Sequence, residues 1–394
     1  MTTSTPEADA AQTQGGQPET GKRRAAFHPL TVSEVRRLTD EAIEVTFEVP
    51  DELQGQYDYV PGQYVALRTE MEGQEVRRSY SICAEPTAGE IRVAIKRDLG
   101  GLFSNWANDH LKAGDVLDVM SPTGAFISKH QMTELNRPED IDTDTEHVFV
   151  AFAAGSGITP VISIARTVLA ANENVRFDLV YANKAAMDVM FVEELADLKD
   201  KYPSRFALHH VLSREQRISP LLSGRIDAEK LNSLFDDVLR TDDVDEWFLC
   251  GPFELVQLCR DTLAARGVPA EKIRFELFTT GEPNKPQGSI GRPVEVDPNA
   301  DNFEINFRLD GLSGKVASPK HARESVLNAA LRVRPDVPFA CAGGVCGTCR
   351  AKVVSGTFEM DENYALEPDE IERGYVLTCQ TRPTSDELSV DYDA

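Results

Sequence analysis

Residues 338–356 read PFACAGGVCGTCRAKVVSG, which packs Cys341, Cys346 and Cys349 into nine positions. Cys379 follows thirty residues after Cys349, so the spacing is C-x4-C-x2-C with one distant partner. Gly343, Gly344 and Gly347 stand among the sulfurs, and residues with little or no side chain let a backbone wrap closely around a bound group. The chain has seven cysteines, an odd number with uneven spacing. The first 24 residues carry no apolar stretch of the kind a secretory leader needs, so a reducing cytoplasm is expected. Clustered cysteines there suggest metal rather than disulfides.

The 394 residues are enough for roughly two to three domains, each with its own core. The net charge of −24 excludes broad nucleic-acid binding, which needs basic surface to neutralise phosphates. No run approaches the ~18 apolar residues of a membrane span, so no membrane partner is expected. Acidity is dense from Glu359 to Glu372 and reads as a solvated face, with docking of a basic partner as the alternative. Residues 1–26 read as a disordered tail rich in Ser, Thr, Gln, Gly, Pro and Glu.

Three folded pieces follow. Over 27–135 the pattern is period two: Ile43, Val45, Phe47 and Val49 alternate with Glu44, Thr46 and Glu48, and IRVAIKR repeats the alternation. Short strands punctuated by VPGQ and SPTG suggest an antiparallel barrel or sandwich. Over 145–278 strand and helix alternate. HVFVAFAAG is a nearly continuous apolar run, as expected of a strand buried on both faces, and the whole reads as an α/β domain with a parallel sheet. Residues 279–300 are dense in Gly, Pro and Asn and read as a linker. Over 301–394 a hairpin turning at Asp310-Gly311 precedes a helix at ESVLNAALRV, the cysteine loop and short strands.

C-x4-C-x2-C…C is the ligand spacing of a plant-type [2Fe-2S] cluster, in which four thiolates hold two irons. Zinc is the alternative, although zinc sites usually show two CxxC-like pairs. A cluster takes one electron at a time and a nicotinamide gives two, as hydride. A flavin is the usual device between them. Arg78-Ser79-Tyr80-Ser81 offers a cation for a phosphate, a flat ring and hydroxyls; a plain polar strand edge is the other reading. Gly101-Leu102-Phe103-Ser104 opens a helix at FSNWANDHL, and a helix start is a natural pyrophosphate seat. AAGSGITP, with Gly155, Gly157, Ile158 and Thr159, lies between a buried strand and a helix, as a phosphate loop requires. Cys250-Gly251-Pro252 ends a later strand, where open α/β sheets bind ligands. Ser213 and Arg214 end another and could clamp an extra phosphate, although Arg214 alone reads as a solvated charge.

Together these motifs resemble the ferredoxin–NADP⁺ reductase superfamily over residues 27–278, and residues 302–394 resemble plant-type ferredoxin domains. The resemblance implies a β-barrel flavin domain, an α/β nucleotide domain and an α+β β-grasp ferredoxin domain. It implies FAD, NADPH and a [2Fe-2S] cluster on Cys341, Cys346, Cys349 and Cys379. It also implies that Arg78 binds flavin phosphate, Tyr80 stacks on the flavin, Ser81 assists hydride transfer near N5, and Cys250 approaches the nicotinamide. Ser79, the backbone at Ala94, Ile95 and Lys96, and residues 101–104 would complete the flavin site. SREQ resembles the family's 2′-phosphate clamp, with Arg225 a substitute for its missing partners. Phe275 or Phe278 would cover the flavin. The domain order is similar to that of reductase components of multicomponent di-iron oxygenases of aerobic phenylacetate degradation, with an oxygenase as partner. Phthalate-dioxygenase-type reductases, which use FMN, share that order. A zinc-stabilised, non-catalytic interaction subunit is the reading of another class. Cys83, Cys259, Trp106 and Trp247 are expected in packing, and of His209 and His210 at most one is expected to be buried.

Overall fold

A computed structural model describes residues 27–394 except 72–73, 99, 125, 129–145, 240, 242, 279–293, 295, 298–300, 310, 335–336, 340–346, 362, 364–365 and 367. The expected tail, most of the linker, and Cys341 and Cys346 therefore lie outside the described residues.

Six antiparallel strands form the first sheet: β1 (Phe27–Thr39), β2 (Ala42–Glu48), β3 (Tyr64–Met71), β4 (Gln74–Ser81), β5 (Glu90–Lys96) and β6 (Val116–Met120). Their order is β4-β3-β6-β1-β2-β5, and a bridge between Ile82 and Val93 draws the two edges together into a barrel. Ile43, Val45, Phe47 and Val93 fill its interior, as the alternation predicts. Glu44 and Thr46 depart from that pattern, because they too are buried. Glu44 is held there by Arg36, whose Nε donates to it over 3.0 Å, and Arg36 also pairs with Glu194 of the next domain. The outer face of β2 is thus covered by a neighbour, a long-range fact that period two cannot carry.

The second sheet is parallel, in the order β11-β10-β7-β8-β9, from β7 (His147–Ala154), β8 (Val175–Asn183), β9 (Phe206–Leu212), β10 (Glu246–Gly251) and β11 (Ile273–Leu277). Helices Ile158–Ala171, Val192–Lys201, Ala228–Asp237 and Phe253–Ala265 cover it. All residues of β7 except its ends are buried. Strand order reverses at β7, so the loops after β7 and β10 open into one crevice at the carboxyl ends of the strands, where such sheets bind ligands. Ala42, Cys83, Ala94 and Phe126 of the barrel region join one continuous core with Ile158, Ile162, Phe177 and Cys250. Ser163 Oγ donates to the Ala84 carbonyl over 2.6 Å across the same seam. Among the described residues no helix is long and apolar enough to cross a membrane.

The third sheet runs β13-β12-β18-β14-β16, from β12 (Asn302–Leu309), β13 (Leu312–Pro319), β14 (Arg350–Ser355), β16 (Tyr375–Leu377) and β18 (Glu387–Asp391), with β15 (Phe358–Met360) and β17 (Thr381–Pro383) paired alongside. β12 and β18 pair in parallel and the other neighbours are antiparallel. Helix Val326–Leu331, capped by Ser325 accepting from the Asn328 amide, packs against them. The β12–β13 hairpin reverses between Leu309 and Leu312, with Gly311 at φ 72°, while Asp310 lies outside the described residues.

Candidate functional site

The crevice at the order reversal is shaped by glycine. Gly157 starts the helix Ile158–Ala171, and a Cβ there would stand 2.3 Å from the Cys250 carbonyl oxygen. Only a bare backbone lets the loops after β7 and β10 approach that closely. Gly155 sits at φ 54°, braced by the Tyr181 hydroxyl donating to its carbonyl over 2.9 Å. Thr159 is buried and its hydroxyl donates to the Ser156 carbonyl, so it closes the turn. Ile158 is wholly buried behind it. The ammonium of Lys96, reaching from the end of β5, lies 3.8 Å from where a Gly155 side chain would begin. Burial lowers the pKa of Lys96, a cation short of solvation beside a loop fit for phosphate.

Cys250 is fully buried, and burial, then the Glu276 carboxylate, push its thiol well above the usual range. It is a neutral thiol. Parallel pairing sets Cys250 opposite Glu276, and the Ser81 hydroxyl of the barrel donates to Glu276 over 3.3 Å. Barrel and nucleotide domain thus bring Ser81, Cys250 and Glu276 together. Glu276 stands in none of the sequence motifs. Its one signal is position, at the end of the strand parallel to CGP. Pro252 caps the helix Phe253–Ala265, and Gly251 accepts from the Phe278 amide. Phe278 packs into the shared core. Phe275 points the other way, beneath Arg260 at 3.9 Å, because alternate residues of β11 face opposite sides.

On β4, Arg78 is exposed and donates to the Arg77 carbonyl. Tyr80 leans on Phe103, ring centroids 5.8 Å apart, and burial raises its phenol pKa. Phe103 is a core residue, and Ser104 Oγ accepts from the Asp98 amide over 3.0 Å, so both shape the turn. A cleft of about 610 Å³ opens beside it, lined by Gly100, Gly101, Leu102, Asn105 and Trp106 among others. Ala94 faces the nucleotide domain, Ile95 faces the barrel interior and its carbonyl accepts from Asn108. An exposed guanidinium, an aromatic platform and an open cleft at a helix start fit a flavin nucleotide.

Ser213 and Arg214 donate backbone N–H to the carbonyls of Asn183 and Lys184, which fixes the SREQ turn to the end of β8. The bridge from Leu212 to Ser223 brings Arg225 into the same neighbourhood. Ser213 is half-buried; Arg214 and Arg225 are exposed.

Cys349 and Cys379 are buried in the third domain's core. Burial first raises the pKa of the Tyr392 phenol, the Thr378 hydroxyl opposes it, and Cys349 and Cys379 add to the rise, so the two sulfurs share its surroundings. The Thr378 hydroxyl donates to the Cys349 carbonyl over 2.9 Å and ties the segments together. Gly347, at φ 72°, gives the loop its left-handed turn. Two thiols converging from a loop and a distant turn suit a [2Fe-2S] donor set. Next to them, Thr348 Oγ1 lies 3.1 Å from Ser79 Oγ of β4. Glu370, within the acidic run, is buried between Arg77 and Arg350. That part of the run is therefore an internal contact, not a solvated face.

Comparison with known proteins accords with this layout. An oxidoreductase FAD-binding domain model matches residues 29–127, an oxidoreductase NAD-binding domain model matches 152–261, and a 2Fe-2S iron-sulfur cluster binding domain model matches 311–384. The chain is 41% identical over 368 residues to one subunit of the 1,2-phenylacetyl-CoA epoxidase of Escherichia coli (strain K12), covering 93% of this chain and 98% of that protein. It is 34% identical over 369 residues to the ferredoxin reductase component of 3-ketosteroid-9-alpha-monooxygenase of Rhodococcus rhodochrous, covering 92% and 96%. Phthalate dioxygenase reductase, a modular structure for electron transfer from pyridine nucleotides to [2Fe-2S], shares the fold with a TM-score of 0.52 and 22% identity over 93% of this chain and 98% of that one. A zinc-held subunit does not account for the three domain matches in this order.

Proposed function

Because the chain belongs to the family of that 1,2-phenylacetyl-CoA epoxidase subunit, electron-transfer oxidoreductases with FAD-, NAD- and 2Fe-2S-binding domains on one polypeptide, we propose that it draws hydride from NADPH and serves a multicomponent oxygenase, the di-iron phenylacetyl-CoA epoxidase. One observation carries the relay. Ser79 and Ser81 stand two residues apart on one face of β4, and Ser79 meets Thr348 of the cluster loop while Ser81 meets Glu276 of the nucleotide sheet. A single strand thus touches both ends of the path.

When bound, FAD accepts the electron pair of a hydride and releases it as single electrons. Arg78 supplies a guanidinium for its phosphate, and Tyr80, backed by Phe103, a flat surface for its ring. Ser81 and Glu276 form a hydroxyl–carboxylate pair able to hold a proton at the hydride site. Cys250, a neutral thiol, fills and orients rather than attacks. Gly155, Gly157 and the helix that follows offer backbone N–H groups to the dinucleotide phosphates, with Lys96 beside them. Arg214 and Arg225 are the cations for a 2′-phosphate.

An anaerobic NADPH titration with flavin identification after acid release tests the reading. It expects bleaching of both flavin and iron–sulfur absorbance, FAD in the extract, and a kcat/KM for NADPH well above that for NADH. Equal use of NADH would remove the coenzyme assignment. Turnover with aromatic-ring dioxygenase components but none with the epoxidase components would replace the client.

A further inference from the structure

Resting on that relay, the passage from flavin to cluster depends on how the barrel and the cluster domain are held together. Arg77 Nη2 donates to Glu370 Oε1 over 2.9 Å, across 293 residues of sequence. Arg350 Nη1 donates to the same oxygen over 2.7 Å. The Arg77 and Glu370 side chains are only 6% and 4% exposed, so this is a desolvated contact and not a surface pair. Its ends are tied to the redox sites: Arg77 directly precedes Arg78, and Arg350 directly follows Cys349. A weaker contact, Ser79 to Thr348, lies beside it.

We propose that Arg77 and Glu370 form a latch that seats the cluster domain on β4 and thereby sets the rate of electron passage from flavin to cluster. Both are positioning residues. Exposed ion pairs contribute little, whereas a desolvated pair is costly to break; Glu370 without Arg77 keeps Arg350, so the loss falls on the contact between the domains. Without Arg77 the seat keeps the hydroxyl contact but loses its charge pair. Tunnelling rates fall exponentially with separation, so a domain that spends most of its time unseated is reduced slowly. The electron balance is simple: each NADPH oxidised reduces two ferricytochrome c through two single-electron passages and releases one proton.

The test uses the full-length holoprotein with wild type, Arg77→Gln, Arg77→Lys, Glu370→Gln and the Arg77→Gln/Glu370→Gln double variant. Arg77→Gln leaves the Glu370–Arg350 pair intact, so it spares the cluster domain if Glu370→Gln does not fold. NADPH-driven ferricyanide reduction, which draws on the flavin, is expected to stay at the wild-type rate. Cytochrome c reduction, which draws on the cluster, is expected to fall about tenfold or more in Arg77→Gln. Arg77→Lys should recover part of it, and the double variant should be no slower than the slower single. Independently of turnover, small-angle scattering should show a larger radius of gyration for Arg77→Gln, and amide exchange should rise at residues 76–79 and 368–372 only. Unchanged cytochrome c reduction and an unchanged radius, with flavin and iron content intact, would overturn the latch. Wild-type protein that reduces ferricyanide but never its cluster would overturn the relay instead.

Discussion

A methyl group at residue 157 would collide with the carbonyl oxygen of Cys250, 2.3 Å away, and that oxygen belongs to backbone that cannot swing aside. Gly157→Ala is expected to part the two loops at the crevice and to cost about 1–3 kcal/mol of overpacking strain. Thermal unfolding and the KM for NADPH measure it; the first should fall and the second rise. The chemistry of the crevice gives a second expectation. Ser81→Ala keeps Tyr80 and Arg78 but removes the hydroxyl that faces Glu276. Stopped-flow bleaching of the flavin by NADPH should slow by roughly 10²–10⁴, the usual weight of a proton-handling side chain, with flavin content unchanged. A wild-type rate would leave the pair without a role. At this scale the sequence shows Ser81 and Cys250 readily, since each sits in a short motif. It hides Glu276, whose meaning comes only from the parallel register that sets it beside Cys250.

Among the elements, β9 holds an expectation about acid. His209 and His210 point to opposite faces of this edge strand, and each is half-buried, so the expectation that at most one is buried holds. Burial is the first cause lowering both pKa values, and Arg217 adds to it at His210. The folded chain therefore keeps them neutral, while the unfolded chain binds protons near pH 6.5. Their contribution is complete above about pH 6.5 and is lost as pH falls toward the lowered folded values, by at most about 1.4 kcal/mol per pH unit for each. Denaturant titrations of wild type and the His209→Gln/His210→Gln variant between about pH 5 and 7 check it. The variant should show a shallower acid limb; parallel limbs would remove the assignment. The elements themselves were legible, because period two and buried apolar runs survive in any context. The burial of Glu44 and Thr46 was not, since it depends on a neighbour supplied by residues far along the chain.

For the whole molecule, the relay order is the expectation. Cys346→Ser should abolish reduction of cytochrome c and of the oxygenase while sparing NADPH-driven ferricyanide reduction, because the residues proposed for the flavin and nucleotide sites lie outside the cluster loop. Loss of both activities would mean that the cluster feeds the flavin site or holds it together. Domain order was readable from three motif groups in sequence. The way the domains meet was not. Glu370 lies in a run of acids that reads as solvated surface, and its partner Arg77 is 293 residues away. Charge runs report composition, whereas burial of one member is a tertiary event.

The proposed hydride site is split between two units: the barrel gives Ser81, and the parallel sheet gives Cys250 and Glu276. Neither unit can be exchanged alone without dismantling that chemistry, and a shared core fuses them further. Among the described residues the cluster unit, by contrast, meets β4 through a handful of side chains. Builders of chimeric reductases should therefore transplant residues 27–278 as one cassette, and fit a foreign ferredoxin to it by grafting the counterparts of Thr348, Arg350 and Glu370.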